Sequence, residues 1–243
     1  MPRASRDPDQ AREVTIEPGF VRTADGSALF SIGETRVICT ASVTSDVPRW
    51  LAGTGGGWVT AEYGMLPAST GERKKRDVQS GKQDGRSVEI QRLIGRSLRG
   101  VIDLSLLGER AVFVDCDVLQ ADGGTRCAAI TGGYVAMHLA LAGLVAQGQL
   151  DRLPLTSSVA AISAGIVGGE ALLDLEYSED AEADVDANVV MTGDDGLIEV
   201  QATAERTPLS KTSLDELLEL ASKGITELRA VQAAAVGGRL PGD

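Results

Sequence analysis

The stretch that decides the fold is residues 110–147, RAVFVDCDVLQADGGTRCAAITGGYVAMHLALAGLVAQ. Alternating apolar residues from Arg110 to Leu119 predict a strand, and the small apolar residues after Arg126 predict a helix that ends near Gln147. The glycine pair between them lets a ligand approach the backbone, beside the free N–H groups of a helix start. Thr125 adds a hydroxyl group and Arg126 a bidentate donor, so the junction predicts a phosphate site. The alternative is that the glycine pair only makes a turn.

Further strands and helices flank this stretch on both sides. A helix from Ser87 is predicted by apolar residues at helical spacing, and a final helix by a capping box that opens at Ser213. Strands followed by helices occur twice, which predicts an α+β, two-layer fold with duplicated strand–helix units. We expect two subdomains, residues 1–152 with the phosphate site and residues 153–243 with an acidic site. The predicted strands are 14–21, 27–32, 35–43, 58–66, 159–166, 171–175, 188–191 and 197–202.

Composition favours a globular protein with a packed core. The chain has 243 residues, of which 43% are hydrophobic and 24% charged. No run approaches the roughly 20 apolar residues that span a bilayer, so we expect no membrane partner. Residues 1–12 are polar and lack the apolar stretch of a signal peptide. The three cysteines are an odd number, which favours free thiols in a reducing cytoplasm.

The net charge of −12 hides a basic window, residues 73–99, with nine basic and three acidic residues. It opens with the basic segment Arg73-Lys74-Lys75-Arg76, in a polar stretch, residues 67–85, that predicts a long mobile loop. Arg86, at the start of the following helix, is a second candidate phosphate ligand. The spacing of Arg92, Arg96 and Arg99 predicts a basic stripe on that helix. The window is either a site for RNA or a solvated face.

The acidic window, residues 174–186, holds seven acids in thirteen residues. We expect Asp180 and Asp186 to flank a short loop between strands, with Asp174 and Asp184 nearby. Clustered carboxylates bind Mg²⁺ or share a proton, and Mg²⁺ is often held by one or two carboxylates plus phosphate oxygens. The alternative is an acidic surface loop.

Several kinds of site are excluded or disfavoured. The chain has no Gly-x4-Gly-Lys-[Ser/Thr] motif, so the phosphate site is not a P-loop. Its single histidine, His138, lies among apolar residues of a predicted helix and is interpreted as a core or interface residue. Its isolation among apolar residues excludes a Ser-His-Asp triad. No two cysteines have zinc-ligand spacing, and aromatic residues make up only 3% of the chain, so stacking platforms are scarce.

Four segments, in order along the chain, closely resemble the ribonuclease PH family. They are residues 57–67, GWVTAEYGMLP; 89–99, EIQRLIGRSLR; 115–126, DCDVLQADGGTR; and 188–193, NVVMTG. The resemblance extends from about Arg12 to Glu205. It implies a fold like the second domain of ribosomal protein S5 and a homohexameric ring built as a trimer of dimers.

The resemblance also implies an activity, a phosphate-dependent 3′→5′ exoribonuclease. Phosphate attacks the terminal internucleotide bond of RNA and releases a nucleoside diphosphate, and the reverse nucleotidyl transfer is expected too. The implied substrates are the 3′ trailer of precursor tRNA and other RNA 3′ ends, in the cytoplasm. The implied site consists of phosphate ligands (Arg86, Gly124, Thr125, Arg126), catalytic or Mg²⁺-binding carboxylates (Asp180, Asp186) and RNA-binding arginines in the basic window (Arg73, Arg76, Arg92, Arg96, Arg99).

Two other functions compete with this one. A non-catalytic RNA-binding ring subunit of an exoribonuclease complex would be favoured by loss of Arg86, Arg126 or Asp180, and all three are present. A nucleoside phosphorylase fits the phosphate site but leaves the basic window unexplained. The chain departs from the family pattern at Ala4, Ser5, Ala68, Cys127, Ala202 and Arg206.

Overall fold

The computed structural model describes residues 6–76, 81 and 84–242, and it consists of two β-sheets with helices packed on them. The first half of the described chain forms β1 (Val14–Pro18), β2 (Gly26–Ile32), β3 (Thr35–Thr44), β4 (Trp58–Met65), α1 (Gly85–Arg99), α2 (Leu104–Leu107), β5 (Ala111–Gln120) and α3 (Thr125–Ala146). The second half forms β6 (Val159–Val167), β7 (Glu170–Leu173), α4 (Tyr177–Glu182), β8 (Val185–Thr192), β9 (Leu197–Ala204) and α5 (Lys211–Ala235). These elements confirm the predicted α+β class.

The first sheet has the strand order β1-β2-β3-β5-β4. Its pairings are antiparallel except for β4 and β5, which run parallel and are joined through α1. Parallel strands end at the same edge of a sheet, and there Leu66 N–H donates to the Val118 carbonyl and Ala121 N–H to the Ser69 carbonyl. This edge brings the segment after β4 against the glycine pair after β5.

The second sheet is antiparallel, with the order β7-β6-β8-β9. Asp186 pairs with Gly165 and Asn188 with Ser163 across β6 and β8. Residues two apart on a strand face the same way, so Asp186 and Asn188 project from one face of this sheet.

Helix α3 packs against β2, β3 and β5 of the first sheet and against β6 of the second, which makes it the centre of the core. Gly26 permits the closest approach, because a Cβ there would lie 2.1 Å from the Ala136 carbonyl oxygen. By length and composition α3 is apolar enough to cross a membrane, contrary to the sequence expectation, and 72% of that stretch is buried in the protein. Its apolar surface contacts both sheets, as the core helix of a two-sheet protein requires.

Two sequence predictions need correction, and a third is neither confirmed nor contradicted. Residues 67–76 do not form a wholly unpacked loop, since Ser69 is buried at the sheet edge, while 77–80 and 82–83 lie outside the described residues. Helix α5 begins before the predicted capping box, because the Ser210 hydroxyl oxygen accepts the Ser213 N–H. The residue-152 boundary falls between α3 and β6, but α3 packs on both sheets, and the division into two subdomains stays a prediction.

Candidate active site

A cavity of about 710 Å³ opens between the two halves of the chain. It brings together most of the predicted site residues and several that sequence reasoning did not assign to a site. The predicted residues that line it are Arg73, Arg86, Gly124, Thr125, Arg126, Asp180 and Asp186, and the others include Met65, Lys74, Ser163, Tyr177 and Asn188.

The glycine pair and the start of α3 form one wall of this pocket. Gly123 and Gly124 have φ of 75° and 68°, in the left-handed region that favours glycine. A Cβ on Gly123 would lie 2.5 Å from the Leu175 carbonyl oxygen, so only glycine lets the segment before α4 pack here. Gly124 is the N-cap of α3 and has no side chain to cap the first turn. The N–H groups of that turn and the helix dipole therefore favour an anion.

The Thr125 hydroxyl is oriented from behind by a buried tyrosine. Tyr63 on β4 donates from its hydroxyl to Thr125 Oγ1 at 2.9 Å. Burial raises the pKa of Tyr63, outweighing the hydrogen bond to Thr125 and the charges of Arg86 and Arg126, so the phenol stays protonated and acts as the donor. The proton of Thr125 is thereby left for another acceptor on the pocket side.

Arg126 is held at the pocket by contacts from the second sheet and from α1. Its Nη1 donates to Gln201 Oε1 at 2.8 Å and lies 3.6 Å from Glu89 Oε1. Gln201 in turn donates from Nε2 to Glu89 Oε1 at 3.1 Å. These contacts use one terminal nitrogen of the guanidinium group, a planar fork whose geometry suits phosphate oxygens.

Asp180 and Asp186 face the basic side of the pocket. Asp180 is exposed, but the pocket wall partly desolvates its carboxyl group, and this together with the charge of Asp186 raises the pKa of Asp180. Arg86 and Arg126 act in the opposite direction on the pKa of Asp180, so both arginines and Asp186 lie within electrostatic reach of Asp180. Two carboxylates in this relation suit a shared proton or a hard divalent cation.

The predicted arrangement of the acidic window is wrong in one respect. Asp180 lies on helix α4 and Asp186 on strand β8, so neither flanks a simple loop. The other two acids have different partners, Asp184 with Arg206 at 3.4 Å and Asp174 with Arg12 at 2.7 Å. Within the described ranges no group of three or more acidic, histidine or cysteine side chains is arranged to hold a metal ion. A metal here would rest on Asp180 and Asp186.

A buried ion pair between Arg12 and Asp174 lies beside the site, and it was not predicted from the sequence. Asp174 is 1% exposed, and Arg12 donates to its Oδ2 from Nε at 2.8 Å and to its Oδ1 from Nη2 at 2.7 Å. Arg12 also donates to the Asp122 carbonyl oxygen, just before the glycine pair. The buried guanidinium group of Arg12 thus contacts both the segment before the glycine pair and the first aspartate of the acidic window.

The other predicted RNA-binding arginines lie outside this pocket. Arg76 lines an adjoining cavity of about 410 Å³ that shares Arg86 and Lys74 with the first. Arg92 is exposed on α1. Arg96, the next residue of the expected stripe, is 49% exposed and donates from Nε to Glu199 Oε2 at 2.6 Å. Arg99 stacks over the Trp58 ring at 4.6 Å and donates to the Val59 carbonyl oxygen at 2.8 Å.

Histidine and cysteine chemistry is absent from the described pocket lining. His138 is 8% exposed in α3, as interpreted from the sequence, and burial lowers its pKa. Cys127 is buried beside the pocket, where its Sγ donates to Asn188 Oδ1 at 3.3 Å. Burial raises the pKa of Cys127 to about 12, so its thiol is not a nucleophile at neutral pH.

Comparison with known proteins gives the family. The model of the 3′ exoribonuclease family, domain 1, matches residues 10–142, and that of domain 2 matches residues 157–224. The chain belongs to the 3′ exoribonuclease family. It is 55% identical over 233 residues to ribonuclease PH of Syntrophomonas wolfei, covering 96% of this chain and 98% of the relative. It is 54% identical over 235 residues to ribonuclease PH of Roseobacter denitrificans, covering 97% and 99%. As a member at this identity, the chain is a phosphorolytic 3′→5′ exoribonuclease.

Solved structures share the exoribonuclease fold at lower identity. Rice Rrp46 superposes with a TM-score of 0.77 at 18% identity, covering 96% of this chain and 98% of that one. A chain of the Archaeoglobus fulgidus exosome with RNA bound to the active site gives a TM-score of 0.77 at 24% identity, covering 93% and 90%. These likenesses confirm the fold predicted for the family.

Proposed function

We propose that this exoribonuclease trims the 3′ trailer of precursor tRNA and other RNA 3′ ends, including those of ribosomal RNA precursors. Inorganic phosphate is the co-substrate, nucleoside diphosphates are the products, and the reverse nucleotidyl transfer runs in the same pocket. One observation carries the proposal: Arg86, Thr125, Arg126 and the start of α3 line the same cavity as Asp180 and Asp186. An anion-binding wall thus lies beside a carboxylate pair in a single pocket.

The phosphate-binding wall solves the main difficulty of the reaction, which is to bring one anion against another. Phosphate is already a nucleophile, so no side chain has to remove a proton from it. Thr125 Oγ1 accepts the hydrogen bond from the Tyr63 hydroxyl and directs its own proton to a phosphate oxygen, while Arg126 supplies charge-assisted donors. Holding the two reactants in line is worth about 7–11 kcal/mol in favourable cases.

Asp180 and Asp186 fit a divalent cation, because both are hard oxygen ligands and both line the pocket. When bound there, Mg²⁺ would supply positive charge near the scissile phosphate and the leaving 3′ oxygen. The raised pKa of Asp180 also suits a second role, in which its carboxyl group holds a proton and gives it to the leaving 3′ oxygen. Metal dependence of an Asp180→Asn variant separates these roles.

RNA beyond the terminal nucleotide is held by the basic window. Arg73 lies at the pocket itself, Arg76 at the adjoining cavity, and Arg92 on the exposed face of α1. Arg96 and Arg99, which have partners within the chain, would have to exchange them for phosphate. The assembly is a homohexameric ring, a trimer of dimers in the cytoplasm. In such a ring several basic windows surround one RNA, which strengthens RNA binding by a chain whose net charge is −12. Exosome chains with the same fold support such an assembly.

A non-catalytic ring subunit is the second candidate, and the solved exosome chains are compatible with it. The pocket favours catalysis, because the structure retains each predicted ligand of phosphate together with both carboxylates. A subunit that only bound RNA would not need a carboxylate pair that repels RNA phosphates.

The test is phosphate titration of RNA trimming by Arg126→Ala, with Arg36→Ala as the matched control. Arg36 is a half-exposed arginine on β3, outside the pocket. Loss of a hydrogen bond from a charged donor costs about 1.5–3 kcal/mol, so we expect the KM for phosphate to rise roughly 10- to 100-fold in Arg126→Ala. Equal phosphate KM values for the two variants would contradict the proposal.

A further inference from the structure

Tyr177 is an aromatic side chain that the packing of the protein leaves open. It is the first residue of α4 and is 67% exposed, and it lines the same pocket as Arg126 and Asp180. Among the described residues that line this pocket it is the one with an aromatic ring. Its ring is therefore available to a ligand that already has its phosphate in the pocket.

Backbone contacts of Tyr177 fix the position from which its side chain extends. Tyr177 N–H donates to Asp122 Oδ1 at 3.3 Å, and the absence of a side chain on Gly123 lets Tyr177 N come within about 3.0 Å of where a Cβ would be. A capping box between Glu176 and Glu179 holds the first turn of α4. The backbone of Tyr177 is thus held against the loop that contains the glycine pair.

The chemistry of the reaction calls for such a surface. An enzyme that removes successive nucleotides has to accept each of the four bases at the same place. Hydrogen bonds to base edges would select among the bases, whereas every base has a π-face that stacks on an aromatic ring. The polar residues near the ring, Arg86, Thr125 and Asp180, belong to the phosphate and carboxylate groups of the site.

We propose that Tyr177 is the stacking platform for the base of the 3′-terminal nucleotide, and hence for the nucleoside diphosphate in the reverse reaction. The inference rests on the proposed function, because it needs RNA and phosphate to meet in this pocket. It adds a base subsite whose ligand is any purine or pyrimidine nucleotide, with a preference set by stacking area.

The test compares Tyr177→Ala and Tyr177→Phe, with Phe20→Ala as a control for loss of a half-exposed ring outside the pocket. The readouts are the KM for ADP and UDP in 3′ extension of an oligonucleotide, and the KM for phosphate in its degradation. We expect Tyr177→Ala to raise the KM for ADP roughly 5- to 100-fold and that for UDP less, because a purine stacks over a larger area. Tyr177→Phe and Phe20→Ala should stay within twofold of the parent, with phosphate KM unchanged.

Three results would overturn the inference. The first is an unchanged KM for nucleotides in Tyr177→Ala. The second is an equal rise of that KM in Tyr177→Phe, which would assign the effect to the hydroxyl group. The third is a parallel rise in the KM for phosphate, which would assign the effect to the shape of the pocket. Failure of the proposed function looks different, because the parent protein would then degrade RNA without phosphate. If the parent requires phosphate and Tyr177→Ala has the same KM for nucleotides as Phe20→Ala, this inference is wrong and the proposed function stands.

Discussion

Two aspartates of the acidic window, Asp174 and Asp180, are chemically alike and lie in opposite environments. Asp174 is 1% exposed and contacts both Arg12, at 2.7 Å, and Arg6, at 3.3 Å. Asp180, six residues later, faces the pocket, where burial and Asp186 raise its pKa. Asp174 has a φ of 55°, outside the usual range for a non-glycine residue, and the buried pair holds it there.

The difference shows how the protein divides its carboxylates between folding and chemistry. Burying a carboxylate is costly unless an opposite charge and hydrogen bonds compensate it, and Arg12 does so for Asp174. Asp180 is only partly compensated by Arg86 and Arg126, which is the state expected of a group kept for a substrate or a cation. The same substitution at the two positions should therefore have opposite consequences.

Asp174→Asn should cause the largest effect, a loss of stability. The variant leaves the buried Arg12 guanidinium without its nearest charged partner, and breaking a buried ion pair costs about 3–5 kcal/mol. We expect the free energy of unfolding to fall by that amount in urea titration. Asp184→Asn is the matched control, because Asp184 pairs at 3.4 Å with an Arg206 that is 71% exposed, and such surface pairs are worth about 0–1 kcal/mol. Equal losses of stability in the two variants would contradict the claim that Asp174 is the carboxylate that stabilises the fold.

Asp180→Asn and Asp186→Asn should remove activity and leave the fold intact. A lost proton donor or cation ligand costs at least about 100-fold in rate. The raised pKa of Asp180 means that the folded protein binds a proton there more tightly than the unfolded chain does, so its ionised form at neutral pH opposes folding. Asp180→Asn should therefore unfold at the same or a higher temperature than the parent. Full activity in either variant would identify that residue as a surface acid.

The sequence predicted the fold and the phosphate wall because both rest on local patterns. Gly123 and Gly124 between a strand and a helix can be read from their order alone, and so can the apolar alternation of residues 110–119. The sequence could not show that Asp174 is buried in an ion pair while Asp180 faces the pocket, because Arg12 and Asp174 are 162 residues apart. The internal partners of Arg96 and Arg99 could not be read for the same reason, since Glu199 lies on β9 and Trp58 on β4.

Tyr63→Phe should have a smaller and more selective effect than the carboxylate variants. It removes the hydroxyl group that donates to Thr125 Oγ1 at 2.9 Å and keeps the buried ring. A neutral hydrogen bond contributes about 0.5–1.5 kcal/mol, so we expect the KM for phosphate to rise roughly 2- to 12-fold with the KM for RNA unchanged. In a Thr125→Val background the same change should have no further effect on phosphate KM, and a full additional effect would assign Tyr63 a role in packing only.

The basic segment gives the smallest expected change, which depends on substrate length. Lys75 and Arg76 line the adjoining cavity, whereas Arg73 lines the main pocket and Lys74 lines both. Changing Lys75 and Arg76 to alanine should weaken binding of precursor tRNA and reduce its salt dependence by about 1.4 in log–log slope, since each phosphate contact on a single strand contributes about 0.7. A trinucleotide should be degraded as before. Equal losses on both substrates would place these side chains in the catalytic pocket.

The origin of the new phosphate group in the product tests the central claim, that this pocket joins inorganic phosphate to the terminal nucleotide. RNA is incubated with the protein and ³²P-labelled inorganic phosphate, and the released nucleotides are separated. The account predicts nucleoside diphosphates that carry the label in the β-phosphate, and no shortening of RNA when phosphate is omitted. Unlabelled nucleoside monophosphates in phosphate-free buffer would show that water attacks the bond and would contradict the account.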